Sequence, residues 1–121
     1  LIPEGGLGVY VGGSLKPYYL PLDRELIVGR KLDATAESCL DLSELDGFNL
    51  GVSRRHATIR RRESKYEIID LASTNGTWLN NERLAPNKPY PFLSGSQIRF
   101  GRMRLFVIYR TVLKDKEIKE K

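Results

Sequence analysis

The chain contains one cysteine, Cys39, and one histidine, His56, in 121 residues. A lone cysteine excludes an internal disulfide framework and a cysteine-based metal cluster. A lone histidine excludes a multi-histidine metal centre. No apolar run reaches the roughly 18 residues of a membrane-crossing helix, so none is expected. Five glycines crowd Gly5–Gly13, but no Gly-Lys-Ser or Gly-Lys-Thr ending follows them, which excludes a nucleotide-binding phosphate loop. Methionine is absent from the first position. Leu1 stands there, and a processed chain or a piece of a longer protein is the expectation.

Hydrophobic residues make up 40% and charged residues 29%, enough to bury the core of one domain. Twenty Lys and Arg against 15 Asp and Glu give a net charge of +5. The excess is concentrated at Arg54, Arg55, Arg60, Arg61, Arg62 and Lys65. Such a cluster attracts nucleic acid, an acidic lipid surface, or a phosphorylated or acidic peptide; it can equally be the wet side of a strand.

From Tyr18 onward the pattern is one of short β segments. Tyr18–Leu22 and Glu25–Gly29 flank Asp23-Arg24, read as a hairpin turn. Residues 55–62 begin with period-two alternation, and residues 66–70 follow across Glu63-Ser64-Lys65. Residues 77–79 and 82–84 flank Asn80-Asn81, which tolerate the positive φ of a tight hairpin. Residues 97–100 and 104–109 flank Gly101-Arg102-Met103. This spacing predicts an all-β sandwich or barrel. The expected layout is a flexible glycine-rich lead-in over 1–13, with room for one short strand, a domain over 14–110, and a charged tail or linker over 111–121. Lys31–Gly51 and Leu71–Gly76 read as polar loops, with Cys39–Leu42 the one apolar element of the first. Such loops on a β scaffold are where function concentrates.

Three loop segments carry a distinctive set of donors: Gly29-Arg30, then Gly51-Val52-Ser53-Arg54-Arg55-His56, then Ser73-Thr74-Asn75-Gly76-Thr77. They offer guanidinium groups, hydroxyls, an amide and backbone N–H groups, and contain no carboxylate. A phosphate dianion needs such a set, because arginine matches its oxygens bidentately and hydroxyls and N–H groups fill the remaining lone pairs. An asparagine amide can pair with the main chain of an extended peptide.

These segments, with Asp70-Leu71-Ala72 ahead of the third, Trp78-Leu79-Asn80 after it, and Gly95–Gly101 further on, resemble the forkhead-associated (FHA) domain in the right order over about Tyr18 to Tyr109. The resemblance implies an eleven-stranded β-sandwich of two twisted, mostly antiparallel sheets (FHA / SMAD-like), with binding loops at one end. It implies a non-catalytic module that binds a phosphothreonine-containing protein or peptide, or a phosphorylated segment of its own parent chain, in Ser/Thr kinase signalling. Arg30, Ser53 and Arg54 would take the phosphate, Thr74 would assist, and Asn75 would align the peptide backbone. Gly29, His56 and Gly76 would support the site. Gly51 occupies a position that in some family members helps choose the residue after the phosphothreonine, and it has no side chain. No cofactor, metal or membrane is implied. The address expected from the resemblance and the lack of disulfides is cytoplasmic.

Other readings start from the same residues. Arg30 could pair with Asp33 or Asp41 as an ordinary surface ion pair. Ser53, His56 and Asp70 contain the residue types of a hydrolase triad, but no nucleophile-elbow motif surrounds the serine. Trp78 could stack on a ligand, although an aromatic in a strand more often packs across it. A basic β-domain could bind nucleic acid through Arg60, Arg61 and Arg62, and the same fold could hold a partner without any phosphate.

Overall fold

The structure is a computed structural model that describes residues 2, 4–22, 25–31 and 38–110. Eleven strands follow in chain order: β1 Leu7–Val11, β2 Tyr18–Leu20, β3 Glu25–Gly29, β4 Cys39–Asp41, β5 Arg55–Arg62, β6 Lys65–Asp70, β7 Thr77–Leu79, β8 Glu82–Arg83, β9 Tyr90–Phe92, β10 Ser96–Phe100 and β11 Met103–Tyr109. They form a six-stranded sheet, β2-β1-β11-β10-β7-β8, and a five-stranded sheet, β4-β3-β5-β6-β9. Every strand pairing is antiparallel except that of β3 with β4. The expected eleven-stranded sandwich is therefore what the chain forms.

Alternation sets the faces. In β11, Met103, Leu105 and Val107 are buried while Arg104 and Phe106 are exposed. In β10, Ser96, Ile98 and Phe100 are buried. The apolar ones, Ile98, Phe100, Met103, Leu105 and Val107, meet Leu26, Val28, Ile59 and Ile68 of the other sheet in one continuous core. Burying each such side chain stabilises the fold by about 1.5–3 kcal/mol. At one end of the core Tyr66 stacks on Tyr109 at 3.8 Å, with Phe92 edge-on to Tyr109 at 6.0 Å.

Four expectations change. The lead-in is not a separate segment over its second half, because β1 lies between β2 and β11 and buries Leu7 and Val9 completely. The folded unit thus begins ahead of residue 14. β2 and β3 do not make a hairpin, since β2 pairs with β1 in one sheet and β3 with β5 in the other. The turn residues 23 and 24 lie outside the described residues. Within the supposed loop 31–51, Cys39–Asp41 pairs in parallel with β3 as an edge strand. The sequence reading also passed over β9, which holds Pro91. An edge strand tolerates proline because one row of its N–H groups has no ladder bond to make, and β9 is an edge. The expected tail, 111–121, lies outside the described residues.

The hairpin at Asn80-Asn81 forms as expected, with φ of 49° and 74°. Among the described residues no helix is long and apolar enough to cross a membrane.

Candidate functional site

Residues 29–31, 42–54 and 71–76, which end or follow β3, β4 and β6, meet at one end of the sandwich. Gly29 ends β3 at an irregularity in its pairing with β5. A Cβ there would sit 1.8 Å from the Arg54 carbonyl oxygen, so only glycine lets the two chains approach this closely. The same carbonyl accepts the Arg30 N–H at 3.0 Å. Arg30 Nε donates to the Val52 carbonyl at 2.7 Å, and its guanidinium carbon lies 4.8 Å above the Phe48 ring centre. Arg30, Lys31, Ser43, Phe48 and Arg54 line an open cleft of about 410 Å³. The Ser43 hydroxyl donates to Asp41 Oδ1 at 2.6 Å and accepts the Lys31 N–H at 2.7 Å. Asp41 thus serves the rim of this cleft rather than pairing with Arg30 as an ordinary surface ion pair. Asp33 lies outside the described residues.

Ser53 is fixed from both sides. Its N–H donates to His56 Nδ1 at 2.9 Å, and its Oγ accepts the Thr74 N–H at 3.1 Å. A hydroxyl that accepts one bond keeps its own proton to donate. Because His56 Nδ1 is an acceptor, the ring proton sits on Nε2, which donates to the Gly76 carbonyl at 2.8 Å. The ring meets Phe100 edge to face at 5.2 Å. Both His56 nitrogens are therefore occupied by backbone groups and neither faces the serine hydroxyl, so Ser53, His56 and Asp70 do not form the triad.

Burial pulls the His56 pKa below its usual 6.5, outweighing the upward pull of the Gly76 carbonyl and the Asp70 charge. The unfolded chain then takes up the proton first. His56 contributes stability fully above its unfolded value, and that contribution fades as pH falls through the folded one. The expected outcome is a urea midpoint that drops as pH falls below the usual 6.5 in the wild type and drops less in His56→Gln. Identical pH profiles for the two proteins would refute it.

Asp70 organises the third loop. The residue is buried, 3% exposed, and its Oδ1 accepts the Ser73 and Thr77 hydroxyls at 2.6 Å each. Its Oδ2 accepts the Ser73 N–H at 3.2 Å, and Ser73 Oγ accepts the Gly76 N–H at 3.0 Å. Asn75 then projects across to the second loop, where its Nδ2 donates to the Gly51 carbonyl at 3.0 Å. Gly51 has φ of 87°, and a Cβ on it would lie 2.9 Å from that same amide nitrogen. The Gly76 carbonyl accepts a second bond, from Gly101 N–H at 2.9 Å, which ties in the β10–β11 turn.

Arg30, Ser53, Arg54, Thr74 and Asn75 are thus gathered on adjoining loops, with Gly29, His56 and Gly76 beneath them. Phe48, Lys31 and Ser43 escaped the sequence reading. Nothing local marks Phe48, while the Asp70–Ser73 spacing is the one signal that could have revealed the carboxylate as a loop anchor. Among the described residues no cluster of His, Cys, Asp or Glu is placed to hold a metal. The basic run on β5 is partly engaged: Arg60 Nε pairs with Glu67 Oε1 at 2.8 Å, and Arg61 donates to the Leu22 and Glu63 carbonyls.

The family model of the FHA domain matches residues 26–101. The oxoglutarate dehydrogenase inhibitor of Corynebacterium diphtheriae is 40% identical over 57 residues, 47% of this chain and 38% of that protein. The E3 ubiquitin-protein ligase RNF8 of Mus musculus is 35% identical over 78 residues, 64% of this chain and 15% of the ligase. The chain thus matches well under half the length of either relative. A structure solved in a study of phosphothreonine-dependent FHA domain interactions superposes with a TM-score of 0.66 at 30% identity, covering 88% of this chain and 99% of that one. The FhaA FHA domain, complexed with the intracellular domain of another protein, superposes at 0.61 with 31% identity over 84% of this chain and 98% of its own. With the sandwich, the ordered loop motifs and these matches in agreement, the chain belongs to the FHA domain family of phosphothreonine-dependent protein-interaction modules.

Proposed function

We propose that this chain captures phosphothreonine on a partner protein, with Arg30, Ser53 and Arg54 on the phosphate, Thr74 assisting and Asn75 aligning the peptide backbone. The observation that carries this reading is the shared cleft of Arg30 and Arg54 beside a serine whose hydroxyl proton is available. Arg30 commits Nε to the Val52 carbonyl, so its two Nη groups are the ones that meet a phosphate. Charge-assisted hydrogen bonds contribute about 1.5–3 kcal/mol each. A micromolar complex amounts to about −8 kcal/mol in total, so two or three such bonds separate the phosphorylated from the bare peptide. His56, Gly29 and Gly76 hold the loops in place and make no ligand contact. The partner is a protein or peptide marked by a Ser/Thr kinase in the cytoplasm, or a phosphorylated segment of the parent chain, and the module itself catalyses nothing.

The test is a degenerate phosphothreonine peptide library screened beside its unphosphorylated copy, followed by titration of the best peptide in phosphothreonine, phosphoserine and bare forms. Binding of the phosphothreonine form alone at micromolar strength is expected. Equal binding of the bare form would end the reading and leave a phosphate-independent interaction on the same fold.

A further inference from the structure

We propose that the outer face of the six-stranded sheet is a second docking surface, which takes an acidic, apolar-containing segment of a partner protein without any phosphate. The register places Tyr10 beside Phe106, Arg104 beside Arg99, Arg99 beside Trp78 and Trp78 beside Arg83, so these six side chains form two adjoining rows on one face. Phe106 is 44% exposed, as is Tyr19 on the neighbouring β2 at 46%. Arg99 and Arg83 hold their guanidinium carbons 3.9 and 5.0 Å from the Trp78 ring centre. Across β2, β1, β11, β10, β7 and β8, the residues paired on this face include three arginines and no carboxylate.

Three properties point to an acidic protein segment. Arginine and large aromatics are the residue types that concentrate binding energy in protein interfaces. Arg99 commits Nη1 to the Gly101 carbonyl at 2.8 Å, so its remaining N–H groups, with those of Arg83 and Arg104, are the ones that meet a carboxylate. Among the described residues no carboxylate is paired on this face, so its charge calls for an acidic complement. Arg99 and Arg104 also line a cleft of about 690 Å³, together with Arg102 and the apolar Leu45, Leu50 and Met103. Such a cleft receives an apolar anchor from the same segment. Nucleic acid is the weaker fit, because two cations already lie over the Trp78 ring, the one tryptophan a base could stack on.

This surface does not depend on the phosphate reading, and its test is separate. The probe is a short synthetic peptide in which aspartate and glutamate alternate with leucine and phenylalanine, titrated into the isotope-labelled chain and followed by NMR. Shifts are expected at Trp78, Arg99, Arg104 and Phe106. Affinity should fall about tenfold or more in the double variant R104E/F106T and be retained in R104K. The single variant R104E answers the same question should the double variant fail to fold. Absence of binding, shifts confined to residues 30, 53–54 and 73–76, or affinity unchanged by R104E would each overturn the proposal. So would tighter binding at the same residues by a single-stranded oligonucleotide, which would assign the face to nucleic acid instead. Phosphothreonine-peptide affinity is expected to be the same in R104E and wild type.

Discussion

Arg30→Ala weakens phosphothreonine-peptide binding by about 2–4 kcal/mol, or roughly 30- to 800-fold. The reason is the double use of one side chain. Its Nε is tethered to the Val52 carbonyl and its plane lies against Phe48, which fixes the fork before a ligand arrives. The truncation removes a charged bidentate donor, and Arg54 and Lys31 are the cations left lining the cleft to offset the phosphate charge. Arg30→Lys keeps the charge but neither the fork nor the ring contact, so its affinity falls between the two. Calorimetric titration of the three proteins with one peptide checks the order. A thermal melt separates binding from folding, since the Val52 bond is lost in both variants. An alanine variant that binds as tightly as wild type would remove Arg30 from the site.

Asp70→Ala costs about 3–5 kcal/mol of folding stability, a large share of what a domain of this size possesses. The buried carboxylate accepts two hydroxyls and one backbone N–H. Alanine leaves those donors facing a void, and the loop that presents Thr74 and Asn75 loses its anchor. Asp70→Asn distinguishes the parts of that cost. An amide oxygen can still accept both hydroxyls, but the amide nitrogen confronts the Ser73 N–H donor to donor, so about 1–2 kcal/mol is expected. Urea unfolding of the two variants gives both numbers. If alanine and asparagine prove equally mild, the network contributes little and the loop is held by something else.

The legible parts of this molecule were those decided by neighbours in sequence. Alternation in 96–100 and 103–109 gives the faces of β10 and β11, and Asn80-Asn81 gives its hairpin, because both depend on a few adjacent residues. The loops of the site were legible through their ordered motifs. What escaped depends on distant partners. Nothing in Asp23-Arg24 reveals that the strands on either side belong to different sheets, because that is decided by pairing with β1 and β5. The glycine-rich lead-in left room for a short strand, but not for its burial, which comes from pairing with the distant β11. The sequence around Pro91 gives no strand signal, and β9 forms there because an edge position tolerates proline. Phe48 beneath Arg30 had no local mark at all.

The antiparallel register of β1 on β11 also fixes where the polypeptide enters and leaves. Leu7 pairs with Tyr109 while Val11 pairs with Leu105, and Arg110 reaches back to the Ile2 carbonyl at 3.1 Å. Entry and exit are side by side, at the end of these strands away from the Gly101 turn that abuts Gly51 and Gly76. The two ends of the described unit thus lie together at the base, opposite the loops that carry Ser53 and Asn75.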